Sequence, residues 1–188
     1  MLFETDEWDM ELLSIRVDLF VSLVLDKVFE HAAGRTIVFS SFSPEVCIAL
    51  STKQRSYPVF FLSKTSTPRG EIRSCCLQQA IHCAKAWGLP GIVAECTPLI
   101  KCPRLIGYIK SANLACTSFG VGNSDPDNAK VSTTCYSISG TMRLTLIMQT
   151  QFEAGIDAVI SDSVRAISLL RQSQGDQADG LSQVKIFP

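Results

Sequence analysis

Twice in this chain a short apolar run ends in small polar residues and passes at once into a helix-starting sequence. The first is IVFSSFSPEVCIAL at 37–50, and the second is GIDAVISDSVRAI at 155–167. Strand followed directly by helix is the grammar of a parallel sheet, because parallel neighbours need a crossover and a helix is the usual one. In such sheets the chemistry gathers at the carboxyl ends of the strands. That rule singles out Ser41, Phe42, Ser161 and Asp162. Few acid–base residues accompany them, too few for a complete enzyme.

The remaining segments extend the pattern. Leu13, Val17, Phe20, Val21, Val24 and Val28 recur at helical spacing, which predicts one amphipathic helix over 10–32. Glu4, Asp6, Glu7, Asp9 and Glu11 lie at or before its start, as carboxylates favoured at a helix start or as oxygen ligands for a metal. His31 suits the last turn and Gly34 the stop. A strand is expected at 37–41, buried on both faces, and a helix over 44–53 with Ser43 as its cap and Pro44 at its first position. Further strands are expected at 59–62, 92–94, 114–119 and 158–161. Helices are expected at 71–87, 103–112 and 163–171, and a polar, mobile tail over 171–188.

Composition narrows the function. A net charge of -1 gives no electrostatic case for nucleic acid or an anionic membrane, and the apolar run at 19–25 is too short to span a bilayer. Two histidines are few for metal or acid–base work. The 8 cysteines form no C-x-x-C pair, which favours reduced thiols and a cytoplasmic location. Neither G-x-G-x-x-G nor G-K-[ST] occurs, which argues against a nucleotide-binding fold.

One segment breaks the pattern. Residues 131–149, VSTTCYSISGTMRLTLIMQ, carry Arg143 as their only charge and show no clear period. Deleting them joins NSDPDNAK to TQFEAGIDAVISDS in one helix-then-strand unit. The Val-Ser start and Gln end also suit the two borders of an intron. We read 131–149 as a retained intron, expected to be exposed and poorly ordered; the competing reading is an ordinary surface insertion or hairpin.

The strings IVFSSFSPEVCIALSTKQ, AIHCAKAWGLPGIV, PRLIGYIKSANL, GVGNSDPDNA and AGIDAVISDSV together resemble the glycerophosphodiester phosphodiesterase domain. The version they resemble lies at the C-terminal end of large fungal phosphate-metabolism proteins. The resemblance implies an α/β fold, a partial (β/α)8 TIM-like barrel made of the C-terminal strands and helices, over 1–170. It also implies hydrolysis of glycerophosphodiesters such as glycerophosphocholine to glycerol phosphate and an alcohol, assisted by a divalent cation, calcium or magnesium. The family's His-Arg-Gly strand end, acidic metal ligands, second His and Glu-x-Lys strand would all lie upstream of this chain. On this reading the chain holds no catalytic residue and no metal ligand, and is inactive by itself. Its implied partners are the small-molecule diester, the upstream half-barrel, and the SPX and ankyrin regions of full-length relatives. The alternative is a regulatory phosphate-signalling protein that uses this barrel to inhibit a cyclin-dependent kinase complex, without catalysis.

Residue by residue, the resemblance places Ser41, Phe42, Phe119, Asn123 and Asp162 around the substrate pocket. Ser41 and Asp162 could equally cap the helices after them, and the two phenylalanines could be core. His82 reads as a partly buried structural histidine, and Glu95 is the one further carboxylate at a strand end.

Overall fold

A computed structural model describes residues 16–64, 72–123 and 140–162 of the chain. Helix α1 (Val17–His31) buries Val21 and Leu25 and stops at Ala33 and Gly34, both in the left-handed region with φ of 46° and 75°. Strand β1 (Phe39–Ser41) leads into α2 (Pro44–Lys53), whose start is closed by the Val46 amide donating to Ser43 Oγ at 3.3 Å. Strand β2 (Val59–Ser63) follows. The single helix expected over 71–87 is instead two, α3 (Ile72–Cys75) and α4 (Leu77–Ala86), parted at Cys76 by extended backbone. Strand β3 (Gly91–Glu95) runs directly into a helix not foreseen from the sequence, α5 (Cys96–Lys101). Its Pro98 falls in the first turn, where a missing amide costs no helical bond. Then come α6 (Arg104–Ser111), closed by Asn113 at φ 60°, β4 (Ala115–Phe119) and a 3-10 turn (Val121–Asn123). Helix α7 (Gly140–Glu153) and strand β5 (Ala158–Val159) complete the described elements. The first residues of the helix expected at 10–32, the helix expected at 163–171 and the tail at 171–188 lie outside the described residues.

All five strands form one parallel sheet in the order β1-β2-β3-β4-β5, each pairing with its neighbour in sequence. That is the α/β fold expected. Alternation sorts the side chains by face. Val59, Phe61, Ile92, Ala94 and Cys116 point to the helices and join Cys47, Leu50, Ala80, Ala84, Leu99, Ile106 and Ile109 in the core. Phe60, Val93 and Thr117 occupy the opposite face, also buried. Gly91 is needed on this second face: a Cβ there would meet the Ala115 carbonyl oxygen at 2.8 Å and the Phe60 ring at 3.0 Å. Among the described residues, β1 pairs only with β2 and β5 only with β4, so the sheet has two free edges. Val38 and Ile160, beside those edges, are exposed.

Asp157 fixes the last strand. One carboxylate oxygen accepts from the Cys116 amide at 2.8 Å and the other from Lys110 Nζ at 2.6 Å, which ties β5 to β4 and α6. The seven described cysteines are free thiols. Burial pushes Cys47 and Cys116 up to about 12, so both are protonated at neutral pH and serve as small apolar core residues rather than nucleophiles.

The segment expected to be exposed requires a correction. Helix α7 passes without a break from 140 through 149 and into Glu153, and Ile147 and Met148 are buried. The helical spacing of Leu144, Ile147, Met148 and Gln151 runs across position 149, so neither side of that position shows the full period alone. Residues 131–139 lie outside the described residues.

Candidate functional site

Five parallel strands in register bring their carboxyl ends to one rim. Along it stand Ser41 and Phe42 after β1, Ser63 and Lys64 at β2, Glu95 at β3, Phe119 at β4, and Ser161 and Asp162 beyond β5. Glu95 and Phe119 are register partners, on the face away from the helices. Phe42 lies one position past β1, three strands from Phe119. In a flat sheet that is about 14 Å. The two rings nevertheless meet edge to face, with centroids 5.8 Å apart and planes at 66°. Inward lean of these side chains over the non-helical face closes the gap, and a sheet that curls toward that face provides it.

Lys64 completes the group. Its Nζ stands 4.9 Å from the centroid of the Phe42 ring, within range of a cation–π contact. An apolar aromatic wall therefore carries a positive charge beside it, at the end of the sheet where parallel α/β folds bind ligands. Lys64 was missed in the sequence because 63–70 reads as a turn-rich connection. The available signal was its place as the first residue past β2, in the same rim layer as Phe42.

The expected site residues separate into two groups. Phe42 and Phe119 come together, half-buried, on the rim. Asp162 is exposed at the β5 end of the same rim, and Glu95 is half-buried at the β3 end. Ser41 alternates toward the helix side, where its Oγ accepts from the Ser43 amide at 3.1 Å and shapes the turn into α2. Asn123 is fully buried behind the rim. Its Nδ2 donates to Ser118 Oγ at 3.0 Å and to the Ile160 carbonyl at 3.2 Å. Its Oδ1 accepts from Gln151 Nε2 at 3.0 Å, and its backbone carbonyl accepts from Ser161 Oγ at 2.7 Å. This side chain joins β4, β5 and α7 and so positions the rim from below. His82 is exposed on α4 rather than partly buried, and does not belong to the rim.

A divalent cation, as the resemblance implies, needs several oxygen ligands close together. Among the described residues no three His, Cys, Asp or Glu side chains are grouped to hold one. Glu95 and Asp162, at different strand ends, do not make such a set.

With the rim in view, the family can be decided. The model of the glycerophosphoryl diester phosphodiesterase family matches residues 4–166. The chain belongs to this family.

Three relatives are fungal. A glycerophosphocholine phosphodiesterase of Eremothecium gossypii is 37% identical over 93% of this chain and 12% of its own length. One of Candida albicans is 39% identical over 89% of this chain and 13% of its own length, and one of Schizosaccharomyces pombe is 36% identical over the same shares. The chain thus spans about an eighth of these family members. Two solved structures share its fold. A glycerophosphodiester phosphodiesterase from Parabacteroides distasonis aligns with a TM-score of 0.53 and 13% identity, over 85% of this chain and 53% of that one. A protein of Silicibacter pomeroyi assigned as a glycerophosphoryl diester phosphodiesterase aligns at 0.59 and 15%, over 84% of this chain and 45% of that one. All of these family members carry phosphodiesterase names, and the kinase-inhibitor alternative has no support among them. No helix among the described residues is long and apolar enough to cross a membrane.

Proposed function

We propose that the chain is the C-terminal arc of a (β/α)8-type barrel that hydrolyses glycerophosphodiesters such as glycerophosphocholine to glycerol phosphate and an alcohol. The family match over residues 4–166 carries this reading. The edges at β1 and β5 that stay unpaired among the described residues, and alignment with only 45–53% of the two solved structures, support the arc. Hydrolysis of a phosphodiester requires a base for the attacking oxygen, an acid for the departing alcohol, and positive charge for the phosphoryl oxygens. On this proposal the complementary strands supply the base, the acid and the cation ligands. This chain supplies the floor of the mouth. Phe42 and Phe119 wall one side and keep water from it, Asp162 stands at the β5 end, and the Asn123 network holds the loop after β4 in place. Of the five pocket positions expected, Ser41 and Asn123 act in this proposal through backbone placement rather than by touching substrate. The diester and the upstream half-barrel are the proposed partners. Glycerol phosphate release from glycerophosphocholine, with calcium or magnesium and then with a chelator, tests the reading. No turnover is expected from the chain alone, and metal-dependent turnover once the complementary half is present. Turnover by the chain alone that is lost in Glu95→Gln would place the catalytic residues here and overturn the proposal.

A further inference from the structure

On the reading just given, we propose that Lys64 is a phosphate-contacting residue of the mouth, held in place by Phe42 until an anion arrives. Three observations lead there. Lys64 is the first residue past β2, so it rises from the same rim as Phe42, Glu95 and Phe119. Among the described residues, the contact given to its ammonium is with an aromatic face, at 4.9 Å, and not with a carboxylate. The Phe42 ring is itself fixed by its edge-to-face contact with Phe119, so the face presented to Lys64 has a defined direction.

A cation resting on a ring keeps its full charge and gives up little of its capacity to bind an anion, since the ring offers a weak quadrupole and no counter-charge. A phosphate oxygen would then take the ammonium in a charge-assisted hydrogen bond, stronger than the contact it leaves. Departure of the ammonium bares the Phe42 face, backed by Phe119, for the apolar or cationic end of the same ligand. The ligand class that fits both halves is a phosphodiester with a small alcohol, the anion on Lys64 and the alcohol on the rings. Lys64 thereby acts as a binding and positioning residue. It neither gives nor takes a proton.

The test is binding to the chain co-expressed with the complementary half-barrel, kept at low micromolar concentration, followed by the ring NMR signals of labelled phenylalanine. The probes are inorganic phosphate, glycerol 3-phosphate and glycerophosphocholine. Lys64→Met should weaken all three about tenfold and flatten the salt dependence. Lys64→Arg should restore most of the loss, and the Phe42 ring signal should move on binding in the wild type. Lys64 is exposed, so both variants should keep the wild-type circular dichroism. Equal affinities in wild type and Lys64→Met overturn the inference while leaving the functional reading intact. Lys64-dependent binding of phosphate without binding of glycerophosphocholine supports the inference and contradicts the functional reading. No binding of any probe contradicts both.

Discussion

Phe42 and Phe119 touch, with ring centroids 5.8 Å apart, although two strands lie between the ones they follow. The contact spans the rim and reports the inward curl of the sheet. The pair should therefore couple energetically beyond the area each ring buries. A double-mutant cycle with Phe42→Ala and Phe119→Ala, read by urea denaturation, should give a coupling of about 0.5–1.5 kcal/mol. Additive effects within error would mean that the two rings are independent.

Asn123 is fully buried and uses both ends of its amide. Replacing it by Ala strands the buried Gln151 amide and takes a donor from the part-buried Ile160 carbonyl, next to a Gln151 Oε1 that already has no partner among the described residues. The expected loss is about 3 kcal/mol in urea unfolding, the sum of two or so unsatisfied groups. A loss under about 0.5 kcal/mol would show that water reaches this site and replaces the bonds.

Asp18 holds α1 against α2. Its Oδ1 lies 2.5 Å from Lys53 Nζ, which also donates to Ser22 Oγ at 2.6 Å. The hydrogen bond and charge of Lys53 hold the Asp18 carboxyl below the usual aspartate value. A group depressed on folding contributes stability above its unfolded pKa and loses it as pH falls through the folded one. The stability gap between wild type and Asp18→Asn should accordingly be present near about pH 6 and close below about pH 4. A gap that stays constant through that window would mean that the contribution is not the ion pair.

Residues 131–149 are proposed to be intron-derived, a reading that has to accommodate the burial of Ile147 and Met148 in helix α7. A helical register continues across any junction that happens to keep the apolar spacing. Sequencing of the transcripts should find a message joining codon 130 directly to codon 150. If every transcript retains the segment, it is an ordinary part of the protein.

The strand–helix alternation was legible because each β-run is apolar and each helix start is marked, as at Ser43 and Pro44. The parallel direction of the sheet followed from that, whereas alternation alone does not fix the order of the strands. The break at Cys76 and the short helix Cys96–Lys101 were not legible, since one extended residue or a six-residue helix leaves no period to detect. The rim was half visible. Phe42 and Phe119 could be named from their strand ends, but Lys64 was hidden in a loop-like string. The structural role of Asn123 depends on Gln151 and Ile160, 28 and 37 residues away, which no local pattern records.

The proposal that these five strands are one arc of a barrel rests on β1 and β5 each having a single paired neighbour among the described residues. Unpaired strand edges flanked by exposed apolar residues such as Val38 and Ile160 favour association. The most direct measurement is size-exclusion chromatography, with chemical denaturation, of the chain alone and co-expressed with the complementary half-barrel. The chain alone should elute as a broad, self-associated species with a shallow transition. With the complementary half it should form a single one-to-one species that unfolds in one steeper step. A monodisperse monomer with one cooperative transition, unchanged by the added half, would contradict the arc.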